Sequence, residues 1–207
     1  MNIESVVKSW NRYSFTYDVV WGFFLSPGRR QVIEKMDLGE EDHVLEVGIG
    51  TGASLPLYNE GTRVTGVDLS TKMLKVAYKR IKKQSIENAE IFEMNAEELD
   101  FPDNHFSHVI AMYVVSVSPN PEKVIKELKR VCKPGGDIVI LNHFSYENTL
   151  ASRFEKILTP LSTKIGFIPF FPLDDFLQKT DDIEIYDVER TNMLGYWTIL
   201  RGRKAAA

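Results

Sequence analysis

Cysteine is nearly missing from this sequence. With Cys132 alone, no intrachain disulfide can form, and a reducing, cytoplasmic setting is the expectation. A basic surplus is missing too: 25 Lys and Arg stand against 29 Asp and Glu, a formal net charge of -4. Proteins whose main task is gripping nucleic acid usually carry the opposite balance, so no nucleic-acid partner is expected. A local basic patch facing a membrane remains compatible with that charge. Long apolar runs are absent: the stretch 19–25 is too short to cross a bilayer, so no transmembrane segment is expected. The opening residues show no basic segment followed by an apolar one, so they do not read as a secretory signal. No His/Cys cluster has metal-ligand spacing, and Glu97, Glu98, Asp100 and Asp103 read as a solvated loop, so no metal is expected. There is no nucleophilic triad, internal repeat or low-complexity stretch.

What is present suits one domain of 207 residues, and its 43% hydrophobic content is enough for a core. Three textures succeed one another. In residues 1–42, Ile3, Val6, Val7, Trp10, Tyr13 and Tyr17 recur at three- and four-residue steps, with Glu4, Lys8 and Arg12 off the stripe. That periodicity predicts an amphipathic helix. Ser26-Pro27-Gly28 predicts a break, with a second helix over 28–36 opened by Pro27.

Residues 43–142 alternate between two kinds of element. Strands are expected at 43–47, 63–68, 90–94, 108–113 and 137–142, and helices at 52–58, 71–84 and 121–132. Residues 95–99 read as a short helical turn, and Ser70 and Asn120 as N-caps. Most strands are continuous apolar runs, such as Ile138-Val139-Ile140-Leu141, the signature of a sheet covered on both faces. Alternation of this kind predicts a doubly wound, mostly parallel α/β sheet. Residues 143–182 interrupt it with aromatics and prolines, and 183–190 and 196–202 read as a closing antiparallel pair, seven strands in all.

The first strand runs into Glu46-Val47-Gly48-Ile49-Gly50-Thr51-Gly52. Glycines between a buried strand and a helix let a ligand approach the backbone at the carboxyl edge of the sheet. Gly48, Gly50 and Ala53 also satisfy a dinucleotide pattern, with Asp68 where a ribose-binding acid belongs, so a nicotinamide oxidoreductase competes. Glu46 weighs against it, because a carboxylate there attracts a cation and repels a pyrophosphate. Two further segments, Met94-Asn95-Ala96-Glu97 after the third strand and Lys133-Pro134-Gly135-Gly136 before the fifth, complete the set.

In this order and spacing the segments resemble the class I S-adenosylmethionine methyltransferases, which implies a Rossmann-like fold preceded by N-terminal helices. The resemblance implies a cofactor site of Glu46, Gly48, Gly50, Thr51, Gly52, Asp68, Leu69, Met73, Asn95, Ala96, Glu97 and Tyr113. The glycine loop would lie against the methionine part, Asp68 on the ribose hydroxyls, Met73 against the adenine, and Asn95 with Ala96 beside it. Many members carry Asp where Asn95 stands; its carbonyl oxygen can still accept from an amino group.

Further segments, Tyr17-Asp18-Val19-Val20-Trp21-Gly22, Tyr113 to Pro119, Asn142-His143-Phe144 and Phe170-Phe171-Pro172-Leu173, resemble bacterial phosphatidylethanolamine N-methyltransferases over nearly the whole chain. That implies a phospholipid head group as acceptor and peripheral work at the inner membrane face; a quinone precursor or other small molecule is the alternative. Tyr17, Tyr113 and His143 are the expected catalytic residues, with His143 as a proton relay. Tyr13, Tyr17, Arg29, Asn142 and His143 are the expected acceptor-binding residues, Arg29 for a lipid phosphate. The N-terminal helix reads equally as a membrane-contact element or a lid over the cofactor. Residues 167–173 read as an internal cap in preference to a membrane insert.

Overall fold

The computed structural model describes residues 3, 22–146, 149–161, 167–180, 183–192 and 195–206. Tyr13, Tyr17 and the rest of the N-terminal stripe apart from Ile3 therefore lie outside the described residues.

The elements are α1 (Gly22–Lys35), β1 (His43–Val47), β2 (Arg63–Asp68), α2 (Thr71–Gln84), β3 (Ala89–Glu93), β4 (Phe106–Met112), α3 (Pro121–Val131), β5 (Cys132–His143), α4 (Leu150–Leu158), α5 (Leu173–Leu177), β6 (Ile183–Thr191) and β7 (Trp197–Lys204). The seven strands form one sheet in the order β3-β2-β1-β4-β5-β7-β6. The first five are parallel, and β7 runs antiparallel to both β5 and β6. The strand order reverses between β1 and β4, which opens a crevice at their carboxyl ends.

Alternate residues of the central strands feed two cores. Leu45, Val47, Val109, Ala111, Ile138 and Ile140 face α3 and α5, meeting Val124, Leu128 and Phe176. Val44, Val64, Ile110, Val139 and Leu141 face the other way, meeting Val32 and Ile33 of α1 and Leu74 and Ala77 of α2. Both sheet faces are thus covered, which is why the strands read as unbroken apolar runs.

Four local expectations are corrected. The helix expected to start at 28 runs from Gly22 straight through Pro27. An internal proline costs a backbone bond, and tertiary packing outweighs it: Leu25, Gly28, Val32 and Ile33 are buried. A Cβ on Gly28 would come within 2.6 Å of the Tyr113 hydroxyl, so only glycine lets α1 lie this close to the sheet. In place of a helix over 52–58 there is a single 3-10 turn, Leu55–Leu57. Gly52 is left-handed (φ 68), so no right-handed helix can begin there. Residues 95–99 form a tight turn closed by Glu98 N–H on the Asn95 carbonyl, 3.0 Å, and not a helical one. Finally, β5 starts at Cys132 and not at 137. Pairing jumps from Phe106–Cys132 to His108–Asp137, so residues 133–136 bulge out of a ladder that has already begun.

The remaining expectations hold with small shifts. Ser70 caps α2 by accepting from Met73 N–H, whereas the Asn120 side chain makes no cap bond. Phe171 stacks on Phe144 and touches Phe176, and Leu173 is buried, so 167–173 caps the sheet internally.

Candidate active site

Three glycines in the β1 loop, Gly48, Gly50 and Gly52, have φ of 74, 56 and 68. Such a run of left-handed residues turns the chain sharply at the carboxyl end of β1. Gly48 packs under the segment after β4; a Cβ there would lie 2.3 Å from Val114. Gly50 faces open space, its nearest neighbour to a built Cβ being 3.9 Å away. The result is a cleft of about 1000 Å3, its open mouth included, at the ends of β1, β2 and β4.

Three carboxylates lie in its lining, Glu46, Asp68 and Glu97, and the first two sit at its floor beside the glycine loop. Glu46 is 2% exposed; Ser54 Oγ donates to both of its oxygens (2.7 and 2.8 Å) and the Tyr58 hydroxyl to one (2.8 Å). Burial still pushes its carboxyl from 4.5 up to about 7, against the pull of these bonds and of nearby Arg29. Asp68 accepts from the backbone N–H groups of Gly50 (2.9 Å) and Ser70 (2.7 Å), which locks the glycine loop to the start of α2. Its carboxyl is raised to about 6, again by burial. A carboxylate offers about four acceptor sites, so Asp68 keeps capacity for a ligand hydroxyl beside its loop bonds.

The walls come from two loops tied together. Met94, Asn95, Ala96 and Glu97 form one side, and Val117, Ser118 and Pro119 the other. Glu97 accepts from Ser118 Oγ (2.7 Å), Asn120 N–H (3.0 Å) and Asn120 Nδ2 (2.8 Å). Those bonds outweigh burial and hold its carboxyl below the usual range. Leu69, Met73 and Tyr113 also line it, joined by Ile3 from the N-terminal segment.

Of the expected cofactor residues, Glu46, Gly48, Gly50, Asp68, Leu69, Met73, Asn95, Ala96, Glu97 and Tyr113 all line this cleft. Thr51 and Gly52 do not. Thr51 is buried and its carbonyl accepts from Arg80, while a Cβ on Gly52 would meet Leu55 and Ala77. Both shape the turn from behind. Ser70, Val117, Ser118 and Pro119 line the cleft without having been singled out as cofactor residues; their position just beyond β2 and β4 was the available signal.

The expected acceptor residues divide. Tyr113 sits left-handed (φ 62) just past β4, a strained position for a bulky residue. Its hydroxyl donates to the Leu25 carbonyl and accepts from Asn192 Nδ2, both at 2.9 Å. Its ring meets Trp197 edge-on at 4.7 Å. Arg29 is buried in the cleft lining, 5.3 Å from the Tyr113 ring centroid. His143 and Asn142 stand outside the lining. The His143 ring is 1% exposed; Nε2 donates to the Ile168 carbonyl (2.9 Å) and Nδ1 lies 3.3 Å from Ser116 Oγ. Burial lowers its pKa. Asn142 accepts from Ser116 Oγ and donates to the His143 carbonyl. The strand end places both at the right edge, but the His143 ring fastens Ile168 and Pro169 to the sheet, and the Asn142 side chain ties Ser116 to β5.

The donor set fits a cationic nucleoside ligand. Buried Glu46 and half-buried Asp68, both of raised pKa, favour positive charge close by, Asp68 suits sugar hydroxyls, and the slot between the tied loops is largely apolar. A pyrophosphate fits poorly: it would meet both carboxylates, and the glycine loop leads into a 3-10 turn and not into an α-helix whose N-terminus would hold it. Fold and cleft together define a class of doubly wound nucleoside-binding enzyme.

Comparison with known proteins narrows this. Residues 45–140 match the methyltransferase domain family. The chain is 38% identical over 204 residues to a phosphatidylethanolamine N-methyltransferase of Cereibacter sphaeroides, covering 97% of this chain and 98% of that one. It is 32% identical over 147 residues to a demethylmenaquinone methyltransferase of Listeria welshimeri, covering 67% of this chain and 59% of that one. Among solved structures it resembles a SAM-dependent methyltransferase from Aquifex aeolicus, with a TM-score of 0.73, 19% identity, and coverage of 94% and 98%. The chain belongs to the class I S-adenosylmethionine-dependent methyltransferases, and S-adenosylmethionine is its cofactor.

Proposed function

We propose that this enzyme methylates the amine of phosphatidylethanolamine and of its mono- and dimethyl derivatives, towards phosphatidylcholine, working peripherally at the inner membrane face. The observation that carries this reading is the extent of one likeness. The phosphatidylethanolamine N-methyltransferase relative aligns end to end, whereas the demethylmenaquinone enzyme aligns over 59% of its length. Among the described residues no helix is long and apolar enough to cross a membrane, so the acceptor would be met from the surface.

S-adenosylmethionine supplies a methyl group made electrophilic by its positive sulfur. Glu46 and Asp68 would hold it, the first through charge and the second through its ribose, and the tied loops around Asn95, Ala96 and Ser118 would take the base. The acceptor nitrogen must present a lone pair in line with the transferred methyl. A primary amine titrates near ~10 and is mostly protonated in neutral water. An apolar approach past Tyr113, which lines the cleft with Trp197 packed against its ring, would favour its neutral form and could hold the growing ammonium against a ring face. Tyr113 is the acceptor-side residue this arrangement supports best; Tyr13 and Tyr17, outside the described residues, join it in this reading on the sequence alone. Ile3 in the cleft lining supports the lid role of that segment.

The test is acceptor profiling with a labelled methyl donor. Label appearing in extractable mono-, di- and trimethylated phosphatidylethanolamine is the expected result. Label confined to the methylated product of a quinone precursor would replace this reading with the second one.

A further inference from the structure

We propose that the outer face of α4 and the turn after it is the surface on which the protein docks to an anionic phospholipid bilayer. Its choice of occupant rests on the phospholipid reading above.

The helix is divided sharply between two faces. Inward, Ser152 and Glu155 are buried. Glu155 accepts from Ser145 Oγ and bonds the Tyr196 hydroxyl, whose pKa burial and this carboxylate together push to about 12. Outward, Phe154 is 62% exposed, Ile157 72% and Leu161 42%. Their i, i+3, i+7 spacing puts them in one stripe. Arg153 and Lys156 are exposed beside them. Glu155 is the sole acid between 149 and 161 and is turned inward, so the charge on this face is all positive, on a chain of net charge -4.

Clustered apolar residues flanked by cations and open to water are the pattern of an interfacial helix. The positive flank complements anionic head groups. A second copy of the chain is a poorer occupant. Three partly exposed side chains supply at most a few hundred Å2, against roughly 800 Å2 per partner in a stable interface.

The face also lies where the chemistry needs it. β5 runs parallel to β4, and α4 follows its carboxyl end, the edge at which the cleft opens. Ser145, which holds Glu155, also accepts from Phe171 N–H (2.9 Å). Ile168 N–H donates to the Ser116 carbonyl (2.8 Å), between the cleft residues Val114 and Val117. Lys156 Nζ sits 4.5 Å from the Phe170 ring centroid, tying α4 to the same cap. A bilayer touching α4 therefore meets the sheet edge that holds the cleft.

The test is flotation with vesicles of phosphatidylcholine alone and with about one third phosphatidylglycerol. Wild type should float with the anionic vesicles and lose binding as salt rises. The double variant Phe154→Ser/Ile157→Ser should bind at least ~tenfold less, and Arg153→Glu/Lys156→Glu should lose the preference for anionic lipid. Both should keep S-adenosylhomocysteine affinity within about twofold, a check on folding. Variants that float like wild type, a wild type that floats with neither vesicle, or an effect on oligomeric state alone would each overturn the proposal. Methylation separates it from the reading it rests on. If wild type floats through α4 yet methylates no phospholipid, docking stands and the acceptor assignment fails. If phosphatidylethanolamine in vesicles is methylated equally by wild type and the double variant, the acceptor stands and docking fails.

Discussion

The cofactor half of this enzyme and its acceptor half are built by different means. In the first, the loops after β1, β2 and β3 place each group by local backbone geometry. Gly48 and Gly50 turn left-handed, and Asp68 collects the N–H groups of Gly50 and Ser70. In the second, position depends on contacts between residues far apart in the chain. Tyr113 is held by Leu25 and Asn192, and His143 by Ile168. A change in the first half should therefore strike binding, and a change in the second should strike stability before chemistry.

The sharpest contrast is between two glycines. Gly48→Ala forces a Cβ to 2.3 Å from Val114 at a left-handed φ, and it should cost about 4 kcal/mol and abolish cofactor binding. Gly50→Ala meets nothing within 3.9 Å; it should cost about 1 kcal/mol and still weaken binding, because the new methyl enters the cleft. Chemical denaturation with parallel cofactor titration measures both.

His143→Ala should destabilise by about 3 kcal/mol, since it empties a buried ring site and leaves the Ile168 carbonyl without its donor. S-adenosylhomocysteine affinity should stay within about threefold. A variant as stable as wild type that binds cofactor but cannot transfer methyl would restore the relay role.

Glu46 gives a pH signature of similar size. Its carboxyl goes from 4.5 to about 7 on folding, so the folded chain holds that proton more tightly than the unfolded one. The stability this confers is fully present below 4.5 and is lost as pH rises through about 7, on the order of 3 kcal/mol in all. Glu46→Gln should flatten this part of the apo stability profile, followed by melting between pH 4.5 and 8.5. The same change should weaken S-adenosylmethionine more than its uncharged-sulfur product. Equal weakening would mean that Glu46 acts by shape and not by charge.

Tyr113→Phe is the mildest, at about 1 kcal/mol, because the ring remains and only the hydroxyl bonds to Leu25 and Asn192 are lost. Thermal melts of the single variant and of a double variant with Asn192→Ala would show whether those bonds couple.

The same division governs what could be read in advance. Gly48, Gly50, Asp68 and Asn95 were legible because a turn or a strand end fixes each locally. Thr51 and Gly52 share the same glycine pattern, which does not say which side of the turn faces the ligand; Leu55 and Ala77 decide that for Gly52. The place of His143 at a strand end is legible in the sequence, yet its ring turns into the 167–171 cap, a long-range fact with no local mark. The passage of α1 through Pro27 has the same origin: its register is set by Tyr113 and Leu141, far along the chain. The mostly parallel, doubly wound character of the sheet follows from the alternation of elements, whereas the early start of β5 depends on how Phe106 pairs.

The account rests most heavily on Asp68 as the residue that holds both the glycine loop and the ribose. Titrating S-adenosylhomocysteine into wild type and Asp68→Asn by calorimetry tests it directly. A loss of at least ~100-fold, or about 3 kcal/mol, is expected, with the variant still folded. Equal affinity in the two proteins would contradict the account.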